Sequence, residues 1–317
     1  MFKFITTFAK RIFQPQPFNV GYFQTTDGHA IYFEEYGVPD GVPVLSFHGG
    51  PGSRLNVRSA TIFPLKKARV ILFDQRGCGK STPSGSLVNN TTSKILEDAN
   101  ALLDYLGIKN KVVVNGNSFG STLALLFAEQ SPERIQKVIV SSIFLARRED
   151  YIDWISTTSN FYPDFYEEVM AEVPAEELAQ GNFYSHFTKL SQSQNREDQI
   201  KAAILCLGYE MILGLKEPKF KNSEDITERI LISSKISNYF QANNFFIEEN
   251  QILNNIDKIK HLEVFIAHNR LDMTCAVKQA YQLSQALPKS TLIIVPALGH
   301  GGKELVAEVK KWVSLNL

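Results

Sequence analysis

Residues 111–120 read KVVVNGNSFG. Three β-branched residues, Val112 to Val114, run into Gly116-Asn117-Ser118-Phe119-Gly120, and an apolar stretch with helical spacing (Leu123, Leu125, Leu126, Phe127) follows directly. A serine at a tight strand-to-helix turn takes up a strained backbone conformation. Glycines two before and two after it let the chain reverse without Cβ clashes and push Oγ clear of the sheet. The following helix also aims its free amides at the site and favours negative charge there. Glycine and serine are common, so a bare GxSxG also occurs as an ordinary β-turn; the strand before it and the helix after it give the motif its weight.

Outward from this turn, the runs VPVLSFHGG (42–50), ARVILFDQRG (68–77) and KVIVSSIF (137–144) have the same character, that of strands buried on both faces. A helical stretch, SKILEDANALLDYLG (93–107), lies among them. Before them GYFQTTDGHAIYFEEYG (21–37) alternates around the turn residues Thr26, Asp27 and Gly28 and predicts a hairpin. From about Arg147 the strand signal stops for over a hundred residues of aromatic, helix-like sequence, and returns in HLEVFIAH (261–268) and STLIIVPALGH (290–300). The economical organisation is an N-terminal extension (1–20) and one α/β core (21–146 with 256–317) interrupted by a helical cap (147–255). Two strands are too few to make an independent second sheet. The expected core is a mostly parallel sheet with helices on both faces.

Lys and Arg total 33, Asp and Glu 33, and 44% of the 317 residues are apolar. Disorder and binding to nucleic acid are therefore not expected. Cys78, Cys206 and Cys275 show no CxxC spacing, so neither a disulfide framework nor a zinc site is indicated and a cytoplasmic setting is expected. No apolar run approaches a membrane span. In MFKFITTFAKRIF the apolar positions Phe4, Ile5, Phe8, Ile12 and Phe13 fall at helical spacing with three cations. They read as a terminal helix rather than an export signal or a membrane anchor.

A nucleophilic serine needs a base, and the base an orienting acid. Asp272 follows the strand HLEVFIAH in the loop NRLDMTC; His300 follows TLIIVPAL between Gly299 and Gly301. Both stand at C-terminal ends of expected parallel strands, where such sheets place their sites, in the chain order serine, acid, histidine. His268 is the strongest alternative base but precedes the acid; His29, His186 and His261 read as structural. The tetrahedral intermediate of acyl transfer needs preorganised N–H donors, and the amides of Gly50, in His48-Gly49-Gly50-Pro51-Gly52, and of Phe119 are assigned to that role. Asp74 to Ser81 (DQRGCGKS) ends like a nucleotide-binding loop but lacks its glycine spacing.

HGGPG, DQRGCGKSTP, NTT, GNSFGSTLALLFAEQSPER, SSIFLARRED, NNIDKIKHL, RLDMTC and ALGHGG together resemble the proline iminopeptidases, serine peptidases of the α/β-hydrolase fold, over nearly the whole chain from Gly21. The resemblance implies release of an N-terminal residue, typically proline, from small peptides without metal or cofactor, with Ser118, Asp272 and His300 as nucleophile, acid and base. It also implies that Glu210, after Tyr209, grips the substrate's amino group. A second gripping carboxylate is expected where Ile236 stands, and Asn117, Phe119 and Ala276 replace the usual glycine, tryptophan and proline. Phe144, Trp154, Tyr239 and Phe240 are candidates for lining a proline-sized pocket. The competing readings are a capped hydrolase of esters or amides without a free amine, and a noncatalytic binding protein on the same fold.

Overall fold

The computed structural model describes residues 14–179, 183–213 and 226–317, so the terminal stretch 1–13 lies outside the described residues. Eight strands form one sheet: β1 (Asn19–Gln24), β2 (Ala30–Gly37), β3 (Val42–Phe47), β4 (Ala68–Phe73), β5 (Val112–Asn117), β6 (Ile135–Ser141), β7 (Glu263–Leu271) and β8 (Ser290–Leu298). Their order is β1-β2-β4-β3-β5-β6-β7-β8. β1 and β2 make the expected hairpin, Gln24 facing Ala30, and β2 pairs antiparallel with β4. Every pairing from β4 to β8 is parallel.

Successive side chains of the central strands go to opposite faces. Leu45, Phe47, Val112 and Val114 join one apolar cluster with Ile95, Leu102, Leu123 and Leu283. Val44 and Val113 join another with Phe265, Leu305, Val309 and Val313. The first layer draws on helices α1 (Thr92–Tyr105), α2 (Phe119–Gln130) and, later in the chain, Val277–Ala286; the second draws on the C-terminal helix Lys303–Asn316. β8 is less buried than β3 to β5 because it is an edge strand, paired only with β7.

Between β6 and β7 the described residues form helices and no strand: α3 (Arg148–Phe161), α4 (Pro163–Ala171), α5 (Ala175–Ala179), α6 (Phe183–Ser191), α7 (Arg196–Leu213) and α8 (Glu228–Ala242), with a few short turns. The helices Val277–Ala286 and Lys303–Asn316 are α9 and α10. None of the described helices is long and apolar enough to cross a membrane.

The stretch that superficially resembled a nucleotide loop is a structural brace. Arg76 is buried and reaches Asp98 on α1 through Nε (2.5 Å) and Nη2 (2.8 Å), and Asp27 in the hairpin turn through Nη1 (2.5 Å). The hydrogen bond from Arg76 holds the Asp27 carboxyl well below its usual range, whereas burial pushes that of Asp98 up. The planar guanidinium serves several acceptors at once, which an ammonium cannot match.

Glu129, near the C-terminal end of α2, is the contrasting case. It is 6% exposed and its Oε1 has no hydrogen-bond partner among the described residues. Burial pushes its carboxyl up to about 8, against a weaker opposing pull from Lys258. The unfolded chain thus loses this proton at lower pH than the folded one, so the folded state is penalised as pH rises from about 4.5 to about 8. Glu129→Gln is expected to raise stability at pH 8 by on the order of 2–3 kcal/mol and to change it little near pH 5. Urea unfolding midpoints at the two pH values check this; a gain of the same size at both would remove the titration as its cause.

Candidate active site

Ser118 sits between the end of β5 and the start of α2 with φ 58° and ψ −132°. The space around it explains the flanking glycines. A Cβ on Gly116 would lie 2.0 Å from the carbonyl oxygen of Gly120, and one on Gly120 would lie 2.3 Å from that of Phe47. No side chain fits at either position. The Ser118 amide donates to the Ser141 carbonyl (3.2 Å), and its own carbonyl accepts from the amide (2.7 Å) and hydroxyl (2.6 Å) of Ser121. The strained residue is thereby held from both sides.

The loop after β3 packs against it, since a Cβ on Gly49 would be 3.2 Å from Ser118 Cβ. Gly50 has φ 117°, in the region that favours glycine. Phe119 is the first residue of α2, so its amide has no intrahelical acceptor, while its fully buried ring meets those of Phe240 and Phe245 at centroid distances of 5.6 and 5.7 Å. His48 fixes the glycine loop. Its Nε2 accepts from the Gln75 amide (3.1 Å), so Nδ1 carries the proton and donates to the Gly49 carbonyl (2.8 Å). Desolvation lowers its pKa against the opposing charge of Asp74, consistent with a neutral ring. Asp74 in turn accepts from the amides of Leu55 (2.6 Å) and Lys80 (2.8 Å).

Asp272 and His300 follow β7 and β8. The Asp272 side chain is fully buried; Oδ1 accepts from the amides of Thr274 (3.0 Å) and Cys275 (2.9 Å), and Oδ2 is 2.8 Å from His300 Nδ1. With Nδ1–H donating to the carboxylate, Nε2 is left as an acceptor, and it has no partner among the described residues. Ser118 and His300 line one cavity of about 950 Å³ together with His48, Gly49 and Gly50. His268 has no free nitrogen for the same role: Nδ1 accepts from the Ile143 amide (2.9 Å), Nε2 lies 2.8 Å from the Cys275 carbonyl, and burial lowers its pKa. It belongs to the scaffold.

Asn269 escaped the reading of the sequence. Fully buried on β7, it donates through Nδ2 to the carbonyls of Gly299 (2.8 Å) and Gly301 (2.6 Å), the two residues flanking His300. The contact crosses from β7 to the loop after β8, and no local pattern marks it. The indole N–H of Trp154, on α3, donates to the Thr274 carbonyl in the loop that holds Asp272. Trp154 also stacks on Phe144 at a centroid distance of 5.5 Å, and both rings line the cavity.

Known proteins share this fold. The family described as the alpha/beta hydrolase fold matches residues 42–304. Solved structures with the same fold include a thermophilic esterase from Thermogutta terrifontis (TM-score 0.56, 19% identity, 95% of each chain). Another is an alpha/beta hydrolase enzyme from a deep-sea metagenome (TM-score 0.60, 18% identity, 92% of this chain and 95% of that one). The proline iminopeptidase of Arabidopsis thaliana is 33% identical over 91% of this chain and 77% of its own. That of Neisseria meningitidis serogroup B is 34% identical over 90% of this chain and 91% of its own.

The chain belongs to the proline iminopeptidase family. Against the expectations drawn from that family, the backbone of Glu210 lies on α7, and its side chain is outside the described residues. Ile236, expected beside the substrate amine, is 1% exposed on α8 within the apolar core and is not among the described residues lining the cavity. A carboxylate introduced there would be buried without a partner, a costly change rather than a gain in substrate binding. Phe240 is buried and Tyr239 packs on Phe246; neither joins Phe144 and Trp154 at the cavity. Among the described residues no three His, Cys, Asp or Glu side chains group as a metal site requires.

If Asn269 sets the position of His300, Asn269→Leu is expected to lower kcat by about ten- to a hundredfold while leaving KM nearly unchanged. Steady-state kinetics together with the melting temperature check this. A loss confined to stability would reduce Asn269 to a packing residue.

Proposed function

We propose that this chain is a serine aminopeptidase of the proline iminopeptidase type, releasing an N-terminal residue, preferentially proline, from small peptides through an acyl-enzyme. The observation that carries the reading is the Asp272–His300 pair, whose free imidazole nitrogen shares a cavity with the strained Ser118. Ser118 Oγ attacks the scissile carbonyl and His300 Nε2 takes its proton. The same proton then passes to the leaving amine, and water repeats the sequence to free the acid. Asp272 keeps Nδ1 protonated and stabilises the imidazolium. The amides of Gly50 and Phe119 hold the oxyanion.

Residues 147–255 act in this reading as the cap over the site, with Trp154 contributing a wall of the acyl pocket. Glu210 takes the substrate's ammonium group. The setting is cytoplasmic, in keeping with the free, buried Cys78. No cofactor takes part. The burial of Ile236 favours a second reading, a capped hydrolase whose acyl groups carry no free amine.

Ser118→Ala and His300→Ala are each expected to lower kcat for prolyl-naphthylamide roughly 10⁶-fold, with a double variant no slower than either. Asp272→Asn is expected to cost on the order of 10⁴, because it keeps the geometry and spoils the tautomer. Additive losses would mean that the residues do not act as a unit. Absence of a fluorophosphonate adduct on Ser118 in the folded protein would leave only a binding role.

Glu210→Gln is expected to impair substrates with a free amino terminus and to spare N-acetylated and ester substrates. Rates on the two classes decide between the readings: wild-type preference for the N-acetylated or ester class supports the second.

A further inference from the structure

The chain carries equal numbers of acids and bases, yet the cavity does not. Arg54, Arg58, Arg229, Lys303 and Lys310 line it, and no aspartate or glutamate does so among the described residues. Lys303 Nζ lies 3.7 Å from Glu304; the other four cations make no ion pair among the described residues. Most of this charge comes from two places. Arg54 and Arg58 follow the glycine loop that packs on Ser118, and Lys303 and Lys310 stand on α10, which begins just after His300. The stacked rings of Phe144 and Trp154 reach the same cavity from the segment after β6 and from α3. The cavity therefore combines apolar walls supplied by one set of elements with a one-signed charge supplied by another.

All five cations are exposed to solvent, yet a cleft lined by one sign concentrates the field and raises the local concentration of the opposite charge. A substrate of the proposed reaction has two ends. Its acyl side enters the apolar part and carries an ammonium, which five cations repel. Its leaving side is a short peptide ending in a carboxylate, which they attract.

We propose that the cationic part of the cavity receives the free C-terminal carboxylate of a short peptide, so that the substrates are di- and tripeptides with an unblocked carboxyl end. This rests on the peptidase reading above and adds the leaving-group specificity to it. Electrostatic attraction of this kind acts mainly on encounter and KM, and it fades as salt screens it.

The experiment compares prolylglycine and prolylglycylglycine with their C-terminal amides, with prolyl-naphthylamide run alongside. The acids are expected to have kcat/KM about tenfold above the amides at low ionic strength, the ratio shrinking toward one at about 0.5 M salt. Arg58→Gln combined with Lys310→Gln is expected to collapse the ratio, and Lys289→Gln, a surface cation away from the cavity, to preserve it. Equal rates on acids and amides, or a ratio that survives the double substitution, would overturn the proposal. A binding measurement separates it from the peptidase reading: protection of Ser118 from fluorophosphonate by glycylglycine and by glycylglycinamide. If no prolyl substrate turns over but the acid still protects at about tenfold lower concentration, the peptidase reading fails and the carboxylate site stands. Equal protection by both ends the proposal whatever the turnover.

Discussion

The chain reverses direction between Asn117 and Phe119 in a space that admits no Cβ at residue 116 or 120. That steric limit organises the rest. β5 lies near the middle of the sheet, between β3 and β6, so the reversal points Ser118 away from the strand ends at the place where neighbouring loops converge. A non-glycine residue at positive φ costs on the order of 1–3 kcal/mol. Bonds from Ser118 to Ser141 and Ser121 offset part of this cost, and the close contact with the β3 loop leaves the turn no room to relax.

Around the reversal the site is assembled by buried or half-buried polar side chains, each making at least one hydrogen bond. His48 and Gln75 set the glycine loop, Asp74 gathers two amides beside it, and Asn269 ties down both neighbours of His300. Arg76 plays the same part farther out, joining the hairpin turn to α1. Such groups would be liabilities in an apolar interior without partners. With partners they fix orientation, because each bond has one good geometry. The site thus sits on a polar lattice laid over an apolar sheet, and precision at Ser118 and His300 is distributed among residues that need not touch a substrate.

The sheet was legible because a strand buried on both faces, as in Val112 to Val114, leaves a dense local signature, and a glycine-flanked serine next to it leaves another. Asp272 and His300 were legible from position, each just past a strand. What escaped depended on contacts across the fold. Nothing near Asn269 signals that it bonds to a loop some thirty residues on, and nothing near His48 signals that its ring bonds to the Gln75 amide. Helix α8 misled for a different reason. Ser234, Ser237, Asn238 and Gln241 are buried along with Ile236 and Phe240. A helix covered on its polar side as well as its apolar side gives no periodicity from which to tell core from cavity. The family pattern put Ile236 at the substrate; packing put it in the core.

The bond from Trp154 to the Thr274 carbonyl reaches further than packing does. That carbonyl belongs to the peptide unit whose N–H, on Cys275, donates to Asp272 Oδ1. A hydrogen bond accepted by an amide oxygen polarises the amide and strengthens what its N–H donates. Indole, peptide, carboxylate and imidazole therefore form one polarised series running from α3 to His300. Without the indole the Thr274 carbonyl would lose that donor, and the Cys275 N–H would be less polarised toward Asp272. Through this one bond α3, inserted between β6 and β7, is joined to the loop that holds the Asp272–His300 pair.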